Sequence, residues 1–163
     1  MLVASCIEAT PPPIATDPTL PTAVAAAAAN TRRYSQLLAP IMLLEGHAAA
    51  VYTARFAPSG RHLVSGSHDA TLLVWEVFGD CRNVLTLRGH ANAVLEAQWL
   101  SDGERIASAS ADKTAALWDA QTGARLRRFR GHSSHVNGVC AARDGVVLAT
   151  ASDDGTARIW DAR

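Results

Sequence analysis

The sequence predicts an all-β fold made of three consecutive units of one design, and three observations carry that reading. The dipeptide Gly-His occurs at Gly46-His47, Gly89-His90 and Gly131-His132, and a tryptophan follows each copy 29 residues later, at Trp75, Trp118 and Trp160. Six residues before each Trp stands an Asp (Asp69, Asp112, Asp154), with a Thr two places after it (Thr71, Thr114, Thr156) and a Ser two before (Ser67, Ser110, Ser152). Between these markers, short apolar runs are broken by Gly, Asp and Ser turns, which is the signature of closely spaced strands. The units recur at intervals of 43 residues (46 to 89) and 42 residues (89 to 131).

Each element follows from local chemistry. Val51 to Phe56 reads as a first strand, ended by Pro58-Ser59-Gly60, where Pro presets φ and Gly accepts positive φ. His62 to Ser65 is a second strand, and the turn His68-Asp69-Ala70 leads into a third, Leu72 to Trp75. The matching turns are Ser101-Asp102-Gly103 and Ala111-Asp112-Lys113, then Arg143-Asp144-Gly145 and Asp153-Asp154-Gly155. A fourth strand follows the Trp at Asn83 to Leu87 and again at Ala124 to Phe129. Val51, Val94 and Val136 open the first strands, which suits an inner strand buried between neighbours.

A period of about 40–45 residues with a Gly-His…Trp-Asp skeleton resembles the WD-repeat family, one four-stranded β-propeller blade per repeat. That resemblance implies three consecutive blades of an incomplete ring, seven blades in full, with repeats at about 41–82, 83–125 and 126–163. In this family the repeat begins on the outer strand of the preceding blade, so Ile41 to Leu44 is expected to be such a strand. The third unit stops at Arg163, before an outer strand. Raw sheet flanks follow, and the reading is of a fragment in which residues 39–163 form the partial propeller. Residues 1–38 carry Ala, Pro and Thr with few large apolar groups, so ordering them would not offset the entropy lost; they are expected to be a disordered tail.

Composition narrows the function. Fifteen basic and fifteen acidic residues balance, so no global field recruits nucleic acid or membrane. All but Lys113 of the 15 basic residues are Arg. Cys6, Cys81 and Cys140 are widely spaced, which fits a reducing compartment better than a disulfide scaffold or a zinc site. The longest apolar run, Ala23 to Ala29, falls far short of the roughly 20 residues that span a bilayer.

Each unit also holds a His, a hydroxyl, an Asp and a Trp at constant offsets: His47, Ser65, Asp69, Trp75; His90, Ser108, Asp112, Trp118; His132, Thr150, Asp154, Trp160. A Ser/His/Asp set invites a hydrolase reading. A nucleophile need occur only once, however, and no Gly-x-Ser-x-Gly elbow is present. The set is expected instead to be a structural network, in which imidazole bridges carboxylate and hydroxyl and the hydroxyl meets the indole. WD repeats have such a network, and these residues match its positions. The chain is therefore expected to be no enzyme, with no cofactor and no metal; His62, His68 and His135 have no ligand spacing.

Two surfaces stand out. Arg125, Arg127, Arg128 and Arg130 fall on the outer strand of the second unit. They suit RNA phosphate or an acidic protein, or else protection of a sheet edge, and edge protection is the favoured use. Tyr52, His68, Asn137 and Asp153 are not needed in a blade core and are nominated as partner contacts, beside their counterparts Leu95 and Ala111.

The linkers discriminate within the family. Leu38 to Leu44 runs directly into Gly46-His47; Trp75 to Cys81 joins the first two units. With Ala109 to Thr114, Thr122-Gly123 and Ser152 to Thr156, these segments resemble the spliceosomal branch, the WD-repeat subunits of the U5 small nuclear ribonucleoprotein. Glu76 departs from that pattern, where Asp usually follows Trp, and the tail does not match. The resemblance implies a protein–protein interaction scaffold of pre-mRNA splicing in the nucleus, docked on the large scaffold protein of that particle, with RNA contact indirect or weak. The alternative is a WD-repeat adaptor of another complex, a ubiquitin-ligase substrate receptor or a signalling scaffold; nothing in 1–38 resembles an F-box.

Overall fold

The computed structural model describes Leu37 and residues 41–163, and the tail assigned to residues 1–38 lies, Leu37 apart, outside the described residues. Among the described residues, eleven strands run in chain order. They are β1 (Val51–Phe56), β2 (His62–Ser67), β3 (Thr71–Glu76) and β4 (Asn83–Arg88), then β5 (Val94–Trp99), β6 (Arg105–Ser110), β7 (Thr114–Asp119) and β8 (Arg125–Arg130). The last are β9 (Val136–Ala141), β10 (Val147–Ser152) and β11 (Ala157–Asp161). Each set forms an antiparallel meander, β1-β2-β3-β4, β5-β6-β7-β8 and β9-β10-β11, because tight hairpins join neighbours in sequence. No helix occurs among the described residues.

Burial explains the composition of the strands. The second sheet is covered on both faces. Ile106, Ala116 and Trp118 meet Val64, Leu72, Val74 and Leu87 of the first sheet. Ala107, Ala109, Ala115 and Leu117 meet Val136, Val139 and Leu148 of the third. Successive strand residues point to opposite faces, so a doubly covered strand reads as a continuous apolar run, and the small alanines let the sheets approach. In the third sheet one face alone is covered: Leu148 and Thr150 are buried, whereas Ala149 and Ala151 are exposed. The inner strands carry the stacking, with β5 against β1 and β2, and β9 against β5 and β6.

Several sequence expectations shift: β2, β3 and β4 each run past the residues read for them, to Ser67, Glu76 and Arg88. Ile41 to Leu44 forms no strand; Leu43 makes a single β-bridge, and Leu44 packs on Leu63, Leu73 and Trp75. Ile41 stays exposed and Met42, Leu43 and Leu44 are only half-buried; a strand needs a ladder of partners, and the described residues supply none. The fourth strand of the second unit is β8, Arg125–Arg130, one residue later than read, because the pairing starts at Trp118↔Arg125 beside a bulge.

Candidate functional site

The structure brings the twelve recurrent residues together within each sheet. In the first, His47 Nδ1 lies 3.0 Å from Asp69 Oδ2 and Nε2 lies 2.8 Å from Ser65 Oγ, while Trp75 Nε1–H donates to Ser65 Oγ at 2.8 Å. The second repeats this with His90–Asp112 at 3.0 Å, His90–Ser108 at 2.7 Å and Trp118–Ser108 at 2.8 Å. In the third, His132–Asp154 is 2.7 Å, and Thr150 stands 2.8 Å from both His132 and Trp160. An indole can only donate, so the hydroxyl accepts from it; the hydroxyl can then donate to Nε2 while Nδ1–H donates to the carboxylate. That single proton arrangement satisfies every partner.

The same Asp shapes the loop and the turn. Oδ1 of Asp69 accepts the Thr71 N–H and O–H at 2.9 and 2.6 Å, and Oδ2 accepts the Ala48 N–H at 3.0 Å. Asp112 and Asp154 take the corresponding bonds from Thr114 and Ala91, and from Thr156 and Ser133. Gly46 is required by packing: a Cβ there would lie 2.9 Å from the Trp75 ring.

These bonds set the acid behaviour. Burial pushes the Asp69 carboxyl up, but hydrogen bonds from Thr71, His47 and Ala48 outweigh it and hold the group down, at about 2. Asp112 and Asp154 are likewise held below the usual range, Asp112 against its burial by His90, Thr114 and Ala91, and Asp154 chiefly by Thr156. A carboxyl whose folded pKa lies below its unfolded value of about 3.9 contributes stability that is complete above that value. That stability is lost as pH falls through the folded pKa. The urea midpoint is therefore expected to fall steeply between about pH 4 and pH 2, and Asp69→Asn should flatten that slope; an equal slope in the variant would exclude Asp69 as a contributor.

The partner-contact candidates sit at one end of their sheets, and sequence reasoning missed why. Each first strand carries a β-bulge. Pairing jumps from Val51 to Thr53, from Val94 to Glu96, and from Val136 to Gly138. Tyr52, Leu95 and Asn137 are the residues left out of the ladder. A bulge re-aims the side chain it carries. Tyr52 and His68 are exposed and meet edge to face at 6.1 Å. Asn137 donates through Nδ2 to Asp153, which also lies 3.6 Å from His135. Leu95 and Ala111, half-buried, hold the equivalent places in the second sheet.

The arginine strand is largely engaged within the chain. Arg125 donates to Gly89 O at 2.7 Å and lies over the Trp118 ring. Arg127 donates to Asp161 O at 3.0 Å, and Arg128 reaches Asp112 at 3.0 Å. Arg130 is exposed, and no polar bond of it is seen among the described residues. His62 stacks on Trp99, and the described residues hold no group of three or more His, Cys, Asp or Glu that could bind a metal. No helix of the described residues is long and apolar enough to cross a membrane.

Stacked antiparallel meanders of four, four and three strands, each tied by a His–hydroxyl–Asp–Trp network, define a β-propeller repeat protein. The family model "WD domain, G-beta repeat" matches residues 38–76, 81–119 and 123–161, and the chain belongs to the WD-repeat family. Among its relatives, the U5 small nuclear ribonucleoprotein 40 kDa protein of Homo sapiens is 62% identical over 102 residues, covering 63% of this chain and 29% of that protein. Pre-mRNA-splicing factor cwf17 of Schizosaccharomyces pombe is 46% identical over 52 residues, covering 32% of this chain and 15% of its own. Protein HIR1 of Kluyveromyces lactis is 44% identical over 43 residues, 26% of this chain and 5% of its own. The chain thus spans less than a third of the length of these relatives.

Proposed function

We propose that this chain is a non-enzymatic protein-interaction scaffold of the pre-mRNA splicing machinery, a component of the U5 small nuclear ribonucleoprotein that works in the nucleus. The observation that carries the reading is the 62% identity over 102 residues to the 40 kDa protein of that particle. Stacked sheets present loops and turns from several blades as one rigid surface, which suits docking. A scaffold role also fits the chemistry of the network. Its hydroxyls have the distances of a Ser/His/Asp relay, but Ser65, Ser108 and Thr150 are buried and each already accepts from an indole. The partner is a large scaffold protein of the particle, engaged at the end that carries Tyr52, His68, Asn137 and Asp153. RNA contact is indirect, since Arg125, Arg127 and Arg128 are held within the chain.

Affinity purification of the full-length gene product from nuclear extract tests this reading. Proteins of the U5 particle are expected in the eluate, and their absence would overturn it. Alanine at all four nominated positions is expected to reduce their recovery while leaving the melting transition in place, because none of the four belongs to a core cluster. Unchanged recovery would remove this end of the sheets from the interface.

A further inference from the structure

The three networks are not equally filled on the outer side of the carboxylate. In the second sheet, Ser108 pairs across to Ala116 and Ala116 to Arg128. Arg128 extends over that face and closes on the network: Nη2 donates to Asp112 Oδ2 at 3.0 Å and Nε to Thr114 Oγ1 at 3.2 Å. In the first sheet the same register runs from Ser65 to Leu73 to Thr86. Threonine is too short to reach the carboxylate. What remains is a cleft of about 290 Å³ whose walls include Gly46, Asp69, Thr71, Asn83 and Thr86. The Asp69 side chain is 14% exposed, against 4% for Asp112 beneath its arginine.

We propose that this cleft binds an arginine side chain of a partner protein, which takes the place over Asp69 that Arg128 fills over Asp112. The second sheet shows what the acceptors accept. Asp69 Oδ2 and Thr71 Oγ1 correspond to the two atoms that Arg128 engages, and the planar fork of a guanidinium spans such a pair where an ammonium cannot. Charge alone does not draw a cation here, because Arg88 also lines the cleft. Its counterpart by register is Arg130, so the second sheet holds its guanidinium under the same handicap. Recognition therefore rests on the fork, which singles out arginine over lysine. A neighbouring sheet leaves the site open: Arg128 lies on the face packed against the first sheet, and its side chain is still 25% exposed.

The test uses blocked arginine and blocked lysine (N-acetyl, C-methylamide) titrated into the full chain, with amide NMR shifts read at Ala48 and Thr71, whose N–H groups donate to Asp69, and at Ala91 and Thr114. Saturable shifts are expected at Ala48 and Thr71 alone, about tenfold tighter for arginine than for lysine. Thr86→Arg supplies the missing side chain from within and should weaken binding at least about tenfold. Arg128→Thr should open a second site, with new shifts at Ala91 and Thr114. Equal response to lysine, unchanged binding in T86R, or a folded R128T that gains no second site would each overturn the proposal.

Discussion

Replacing Trp118 by alanine is expected to destabilise the chain by about 3–5 kcal/mol, the largest effect of any single truncation in the three sheets. Its side chain is fully buried in the core between the first and second sheets, with Val64, Leu72, Val74 and Leu87 across from it. It also contributes more than volume. Its Nε1–H donates to Ser108, its ring meets His90 edge to face at 5.7 Å, and Arg125 lies over it. Truncation leaves a cavity at a place where two sheets and a hydrogen-bonded network converge, so collapse cannot fill it without moving all three. Trp160 holds the same place in the third sheet but is only partly buried, so Trp160→Ala should cost clearly less. Trp118→Phe keeps most of the volume and removes the donor, which isolates a loss of about 1–3 kcal/mol. Urea unfolding followed by circular dichroism measures all three variants. Equal losses for W118A and W160A would show that the second sheet is no more central than the third.

The blades were legible in the sequence because their markers are local. Asp69, Thr71 and Trp75 lie within one hairpin, and their offsets recur because each hairpin must return the Trp to the same hydroxyl. The partners of the network could be named for the same reason. Three features were hidden, each decided by register rather than by residue type. The bulges at Tyr52, Leu95 and Asn137 exist only in the pairing of the first strand with the second. The engagement of Arg128 with Asp112 depends on the β7–β8 register, which carries a residue read as edge protection onto the network face. The alanines of β6 and β7 carry little hydrophobic signal by themselves, yet Ala107, Ala109, Ala115 and Ala116 are all buried, since both faces of that sheet are covered. Ile41 to Leu44 shows the converse: an apolar run alone makes neither a buried segment nor a strand, which needs a neighbouring ladder, and Ile41 is left exposed.

Asp112→Asn is expected to cost about 3–5 kcal/mol, well above the loss from the same change at Asp69. The two carboxylates have matching bonds to a His, a Thr and a loop N–H, so the difference between the variants isolates the additional partner of Asp112. That partner is Arg128, whose guanidinium sits 3.0 Å from Oδ2. An amide has one acceptor oxygen and no charge, so in the variant its NH2 must face donors, and Arg128 is left partly buried beside a neutral group. A quarter of the Arg128 side chain remains exposed, which lets water recover part of the charge and places the loss near the lower end of that range. Asp69→Asn strands only neutral donors and should cost about 1–3 kcal/mol. Arg128→Met supplies the control: it removes the cation and keeps the apolar stem that lies over Ala116. In that background the additional penalty at Asp112 should disappear, leaving a coupling of about 1–3 kcal/mol between the two positions. Urea midpoints of the four proteins in the cycle give the coupling directly. Equal losses for D112N with and without Arg128 would mean that the arginine rests on the network without holding it.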